Sequence, residues 1–221
     1  MLGGDRWRIG QPAGRIVRVF RGGRLGFSAA NFLDLGVEQA VEMTSADFDG
    51  NGADDLAVLR GDGQVTVFWS ETKRQQVVLP AATGLCVTGG DVDGDGEEDV
   101  FVGGAAGQPG AVYLGDGKGG LTMTEQKYLK AFTRGEDMGA VFFDAEGDGD
   151  LDLFVTSGGF DPKRAGVFLR DRLHRNDGKG NFALDHHATG NLRDSSGPVV
   201  AADFDRDGDI DLFIGGRVVP G

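Results

Sequence analysis

The sequence has one cysteine and six prolines among 221 residues, and it has no run of eighteen apolar residues. Cys86 cannot form a disulfide within the chain, and its apolar surroundings predict a small buried side chain. The absence of a long apolar run predicts no membrane span, and the first residues lack the apolar core of a signal peptide. No segment repeats apolar residues with a helical period, which argues against a helical fold.

Positive charge is also scarce, because 22 Lys and Arg face 35 Asp and Glu, for a net charge of −13. Nucleic-acid binding needs a basic stripe, which this sequence lacks, so the charge balance argues against a nucleic-acid partner. The basic residues that exist concentrate at residues 15–24 and 164–175, where we expect solvated strand edges. The only histidines are His174, His186 and His187, with no Ser or Cys nucleophile evident beside them. No catalytic residue is therefore predicted.

Four nine-residue acidic loops of the form D-x-[DE]-x-[DN]-G-x-x-D occupy residues 47–55, 91–99, 144–152 and 203–211. Positions 1, 3, 5 and 9 carry oxygen ligands and position 6 is always glycine. Hard cations such as calcium prefer such oxygen cages. Two carboxylates about 4 Å apart repel by roughly 4 kcal/mol near a protein surface. Each loop is therefore predicted to hold a cation.

These loops differ from EF-hand loops, which end with a bidentate glutamate at position 12 and lie between helices. Position 12 is apolar in all four loops: Val58, Val102, Val155 and Ile214. The surrounding residues form short apolar runs rich in branched and aromatic side chains, which are typical of strands. Each loop is therefore predicted to join two strands of a β-hairpin.

The loops begin 44, 53 and 59 residues apart, a spacing that suits one four-stranded propeller blade. We expect a first strand, the loop, a second strand, a third strand (65–69, 111–114 and 166–169 in the first three repeats), a Gly- and Asp-rich turn and a fourth strand. The predicted fold is an all-β propeller of about four blades. Residues 1–221 are expected to form a single propeller domain or part of one, with repeats beginning near residues 44, 86, 138 and 198. Residues 14–33 are expected to supply the outer strands of a further blade, either closing a four-bladed ring or belonging to a larger ring of which this chain is a piece.

Residues 203–216, together with residues 173–182, resemble FG-GAP/VCBS repeats, the blades of integrin-type β-propellers. The likeness is greatest to bacterial members that resemble the acidic cartilage protein/UnbV group. It implies a calcium-stabilised propeller, usually of about seven blades, that lies outside the cytoplasm. It also implies a role in adhesion or recognition more often than in catalysis.

The resemblance places calcium ligands at positions 1, 3, 5 and 9 of each loop, with a backbone carbonyl at position 7. The positions are Asp47, Asp49, Asn51, Ala53 and Asp55; Asp91, Asp93, Asp95, Glu97 and Asp99; Asp144, Glu146, Asp148, Asp150 and Asp152; and Asp203, Asp205, Asp207, Asp209 and Asp211. Asn51 removes one charge, and Glu146 adds a methylene that we expect to distort its loop or to bind through water. Up to four Ca²⁺ are expected, with Mg²⁺ as the less favoured ion.

Since every repeated polar cluster is assigned to metal, the expected function is a non-catalytic, extracellular or cell-surface recognition module that binds a protein or glycan. Residues 127–137 and 158–164, the longest insertions, are the candidate contact loops, with variable connectors as the alternative. An extracellular, cell-surface or periplasmic location is expected because related loops bind calcium with Kd on the order of 10⁻⁴ to 10⁻³ M, so that cytosolic calcium would leave them empty. The alternative function is a propeller lyase or hydrolase with a metal-assisted site in its central channel.

Overall fold

The structure is a computed structural model that describes residues 17–20, 32–71, 74–79, 84–159, 169–190 and 195–218. The chain divides into two units, residues 1–40 and 41–221. In the first unit, β1 (Arg18–Phe20) pairs antiparallel with β2 (Phe32–Asp34). The rest of the predicted outer-strand segment, residues 14–16 and 21–31, lies outside the described residues.

The second unit is built of antiparallel sheets in which successive strands are neighbours. The first sheet contains β3 (Ala40–Ala46), β4 (Asp55–Arg60), β5 (Val65–Phe68) and β6 (Val77–Val78). The second contains β7 (Gly84–Gly90), β8 (Asp99–Gly104), β9 (Ala111–Gly115) and β10 (Leu121–Met123). The third contains β11 (Glu136–Phe143), β12 (Asp152–Gly158), β13 (Arg172–Asn176) and β14 (Phe182–Asp185). The fourth contains β15 (Ser195–Ala202) and β16 (Asp211–Val218) within the described residues.

A four-stranded meander of this kind is the blade of a β-propeller. The described residues otherwise contain a 3-10 helix of three residues, Leu129–Ala131. The predicted all-β class with four-stranded blades is confirmed, whereas the number of blades stays a prediction.

Apolar cores lie between successive sheets, which explains why the second strands are apolar on both faces. Along β8, Val100 and Val102 pack with Val67 of the first sheet, while Phe101 packs on the opposite face with Phe142 of the third. Side chains alternate between the two faces of a strand, so a strand covered on both sides needs an uninterrupted apolar run. The next core joins the third and fourth sheets through Phe143, Phe154, Leu173 and Val199.

The third strand of the third sheet corrects one prediction. It is Arg172–Asn176 and not 166–169, of which residues 166–168 lie outside the described residues and Leu169 is in no strand. The sequence of β13 is polar and does not look like a buried strand, because the burial of Arg172 depends on an ion pair. Arg172 is only 6% exposed and pairs with Asp137 of β11, so the expected solvated strand edge is wrong at this residue.

Candidate metal centres

The acidic loops connect the first and second strands of the four sheets, as predicted. Each turns at its sixth-position glycine, whose φ lies between +84° and +98° at Gly52, Gly96, Gly149 and Gly208. Side chains with a Cβ avoid this left-handed region, so glycine is needed there. Position 4 also has a positive φ in the four loops, and in the fourth loop Arg206 adopts it at +65°.

Side-chain oxygens of the loop accept hydrogen bonds from its own backbone. The position 1 carboxylate accepts the N–H of the position 6 glycine, at 2.9 Å from Gly96 to Asp91 and 2.9 Å from Gly149 to Asp144. The position 5 oxygen accepts the N–H of position 7 in every loop, pairing Ala53 with Asn51, Glu97 with Asp95, Asp150 with Asp148 and Asp209 with Asp207. These bonds hold the loop in a tight turn.

The position 9 aspartate ties the loop to the end of the third strand of its sheet or to the residues just after it. Its Oδ1 accepts an N–H from Ser70 at Asp55, from Gly115 at Asp99 and from Asn176 at Asp152, at 2.6, 2.8 and 2.8 Å. As whole residues, these three aspartates are 2%, 1% and 1% exposed, whereas Asp211 of the fourth loop is exposed. A buried carboxylate is costly unless a positive charge accompanies it.

Burial disfavours the charged form of these carboxyls. It raises the pKa of Asp99 to about 6 and raises the pKa of Asp55 and of Asp152, in each case against backbone hydrogen bonds that lower it. At Asp144 the opposite holds, because the N–H of Gly149 and other backbone donors lower its pKa. Position 9, the most deeply buried ligand position, is therefore where a cation would relieve the greatest desolvation cost.

Carboxylate oxygens from positions 1, 3 and 9 converge in three of the loops. Within each set, one oxygen per residue lies within 4.8 Å of the others: Asp47, Asp49 and Asp55; Asp91, Asp93 and Asp99; Asp203, Asp205 and Asp211. In the first loop, Asp49 Oδ1 and Asp55 Oδ2 are buried and have no hydrogen-bond partner among the described residues. An orphaned pair of buried anionic oxygens fits a divalent cation.

In the third loop, all of whose residues the structure describes, the carboxylates at positions 1, 3 and 9 form no such set. Arg175 of β13 contacts two of them instead, pairing its Nη1 with Glu146 Oε2 and lying 3.1 Å from Asp152 Oδ2. Its Nε lies 3.4 Å from Asp185 Oδ2. The residues of this loop do not fit a calcium ion as the other three sets do.

A second arginine, Arg74, reaches the first loop. Its Nη1 pairs with Asp49 Oδ2, and its guanidinium carbon lies 4.0 Å from the centre of the Trp69 ring. Arg74 engages only position 3 and leaves the carboxylate set of this loop together.

Sequence reasoning missed Arg74, Arg175 and the third-strand N–H groups that fix position 9. Arg175 was detectable, since aligning the repeats on the turn after the third strand places it opposite Trp69 and Leu114. Arg74 carried no comparable signal, because it follows the third strand in a segment that the repeats do not share.

Two kinds of environment separate the histidines. His174 is fully buried in β13, where its ring meets Phe132 edge-on at 5.9 Å, and neither of its nitrogens has a hydrogen-bond partner within the described part of the chain. Desolvation, with a smaller effect from Arg172, lowers the pKa of His174 to about 3. His186 and His187 are exposed.

Residues 47–102 and residues 91–155 match the family described as FG-GAP-like repeat. This part of the chain is similar to FG-GAP-like repeats. The match supports the FG-GAP repeat propeller family, and it includes the first three acidic loops. The likeness to the acidic cartilage protein/UnbV group stays a prediction.

No curated protein matches the sequence. Among solved structures, the chain is similar to the rhamnogalacturonan lyase YesW, with 15% identity and a TM-score of 0.42. The alignment covers 84% of this chain and 46% of the lyase, so the chain spans less than half of that protein. Across the described ranges, no helix has the length and apolar character that crossing a bilayer requires.

Proposed function

We propose that this chain is a calcium-binding recognition module that acts outside the cytoplasm and has no catalytic activity of its own. The observation that carries the proposal is the convergence of carboxylates from positions 1, 3 and 9 at hairpins whose backbone is already turned by glycine. Carboxylates and a backbone carbonyl suit calcium, which accepts six to eight oxygens in flexible geometry, better than they suit magnesium.

The calcium ligands proposed for the first loop are Asp47, Asp49, Asn51 and Asp55, with the carbonyl of Ala53. The second loop offers Asp91, Asp93, Asp95 and Asp99 with the carbonyl of Glu97, and the fourth offers Asp203, Asp205, Asp207 and Asp211 with that of Asp209. A bound cation supplies positive charge to side chains that otherwise repel one another. Its role is structural, since the hairpin it stabilises joins the first two strands of a sheet.

Calorimetric titration of ion-free protein tests the metal assignment. Heat on addition of Ca²⁺, with weaker binding of Mg²⁺, is expected. Replacement of Asp91 by Asn should weaken one site at least tenfold, whereas replacement of the exposed Glu125, which lies in no acidic loop, should leave the titration unchanged. Absence of heat with Ca²⁺ would overturn the proposal.

A cleft of about 350 Å³ is the candidate ligand site. It lies beside residues 127–137, one of the two predicted contact loops, and Tyr128 on its wall is 47% exposed. Residues 160–164 of the other contact loop lie outside the described residues. The cleft is lined by Glu125, Gln126, Lys127, Tyr128, Arg175, Asn176, Asp177, Asn181, Phe182 and Ala183.

The cleft suits a saccharide, because amide, carboxylate and cationic groups can pair with hydroxyls while an aromatic face covers the ring. Glycan-array binding by the calcium-loaded protein tests this partner. Tyr128→Ala should lower binding at least tenfold. The matched control, Met123→Ala, removes a similarly exposed apolar side chain, 49% exposed, outside the cleft and should change nothing. If the protein binds a protein partner and no glycan, the glycan assignment would give way to a protein ligand. Measurable turnover of a polysaccharide would favour the lyase or hydrolase alternative.

A further inference from the structure

The third sheet departs from the first two at one position of its acidic loop and at one position of its third strand, and these two side chains contact each other. Position 3 is Glu146, where the other loops have Asp49, Asp93 and Asp205. The extra methylene carries the carboxylate to Arg175, whose Nη1 pairs with Glu146 Oε2. Two departures that meet in space indicate one change in how the loop is closed.

Arg175 stands where the first and second sheets have an apolar side chain. The equivalence follows from the hydrogen bond to position 9, since the N–H of Ser70, Gly115 and Asn176 makes the same bond in the three sheets. The residues just before these donors are Trp69, Leu114 and Arg175. Only the third sheet of this set directs a cation from its third strand to its own loop.

The guanidinium joins the two loop positions that a cation would otherwise join. Arg175 pairs with Glu146 at position 3 and lies 3.1 Å from Asp152 at position 9, whose side chain is 2% exposed. A third carboxylate, Asp185 of β14, lies 3.4 Å from its Nε. Arginine stays charged at all accessible pH values and presents several donors in a planar fork, so one side chain can serve several carboxylates.

Arg74 shows that an arginine near a loop does not by itself close it. Among the carboxylates of the first loop, Arg74 pairs only with Asp49, and Asp49 Oδ1 and Asp55 Oδ2 keep no hydrogen-bond partner among the described residues. In the third loop, by contrast, Arg175 bridges positions 3 and 9 and hence takes the place of the ion.

We propose that Arg175 closes the third loop in place of a metal ion, so that this loop binds no calcium while the first, second and fourth do. The proposal rests on the proposed function, because it concerns how many of the acidic loops are calcium sites. It revises the predicted set Asp144, Glu146, Asp148, Asp150 and Asp152 from metal ligands to partners of a guanidinium and of the loop backbone.

Counting bound calcium by equilibrium dialysis, at a free concentration that saturates the protein, tests the proposal. The wild-type chain is expected to bind three ions. Asp144→Asn in the third loop should still bind three, whereas the matched variant Asp91→Asn in the second loop should bind fewer than three at the lowest free concentration that saturates the wild type. The double variant Arg175→Leu with Glu146→Asp gives the third sheet the second sheet's side chains at positions 1, 3, 5 and 9 and its leucine before the position 9 donor, and it is expected to bind four.

Each result separates the two proposals. Four ions in the wild type, falling to three in Asp144→Asn, would overturn the inference and leave the calcium-binding function intact. No bound ion in the wild type would overturn the proposed function itself. If the double variant is unfolded by circular dichroism, the comparison of Asp144→Asn with Asp91→Asn decides alone.

Discussion

Single residues decide whether the acidic loops can turn at all. The sixth-position glycine has a positive φ in all four loops, and a Cβ built on any of them would meet no atom within 4 Å. The requirement for glycine is therefore conformational and not steric. At Gly103 the requirement is steric instead, because a Cβ there would lie 2.3 Å from Cys86 Sγ and 2.7 Å from Asp137 Cβ.

Gly96→Ala tests this conformational requirement. The substitution should lower the free energy of unfolding by about 1–2 kcal/mol, the cost of placing an L residue in the left-handed region. Urea denaturation of the ion-free protein measures it. Gly216→Ala is the matched control, since its Cβ also meets open space and its φ is not positive, so no loss is expected. Equal losses in the two variants would contradict the prediction.

His174 makes stability depend on pH. Its pKa is about 3 in the folded protein, against an ordinary histidine pKa of about 6.5. Between pH 6.5 and 3 the unfolded chain binds a proton that the folded protein excludes, so stability should fall by about 1.4 kcal/mol per pH unit as the pH decreases. Above pH 6.5 both states are neutral at this residue and it has no effect.

Chemical denaturation of ion-free protein between pH 6.5 and 4.5 measures this dependence. His174→Leu should reduce the loss of stability on acidification, because the titrating group is gone. His187→Leu, at an exposed histidine, should leave the dependence as it is in the wild type. A wild-type slope in the His174→Leu variant would show that other groups are responsible.

At the scale of strands, polar groups as well as apolar cores join the sheets. Asp137 of β11 accepts the N–H of Gly104 in β8 at 2.7 Å and pairs with Arg172 of β13. Arg172 also lies over the Phe132 ring, 5.3 Å from its centre. One carboxylate thus links the second sheet to two strands of the third.

Asp137→Asn should destabilise the protein by about 3–5 kcal/mol, because it leaves the charge of Arg172 buried without a counter-ion. Thermal and urea unfolding measure the loss. The exposed pair of Lys130 and Glu125 provides the control, since Glu125→Gln breaks an ion pair whose carboxylate side chain is 91% exposed and should have no measurable effect. A small loss in Asp137→Asn would mean that Arg172 finds another partner.

Strands also mark where sequence reasoning succeeded. The second strands were predictable because two covered faces demand an apolar run, as in Val100, Phe101 and Val102 of β8. β13 was placed wrongly because Arg172 and His174 are polar in sequence yet buried in the structure. Local composition cannot reveal a strand whose burial depends on a partner from another strand.

For the whole molecule, calcium is expected to be part of the folding free energy. At a free concentration one hundred times Kd, each ion adds about 2.7 kcal/mol, or about 8 kcal/mol for three sites. A loss of that size should lower Tm by on the order of 20 °C in a protein of this length. Thermal scans with excess calcium and with a chelator measure the change, and scans with Mg²⁺ in place of calcium serve as the control. An unchanged midpoint in chelator would contradict a structural role for the metal.

The sequence by itself determined the repeating hairpin, because ligand type, the glycine at a positive φ and the apolar strand that follows are all local properties. It also determined the four-stranded sheets, through the spacing of the loops. The tertiary structure alone decided which loops bring their carboxylates together. That outcome depends on what the third strand sends to position 9, a backbone N–H in three sheets and, in one of them, the guanidinium of Arg175 as well. Arg175 is distant in sequence from Glu146 and Asp152, and only the folded chain brings its guanidinium to their carboxylates.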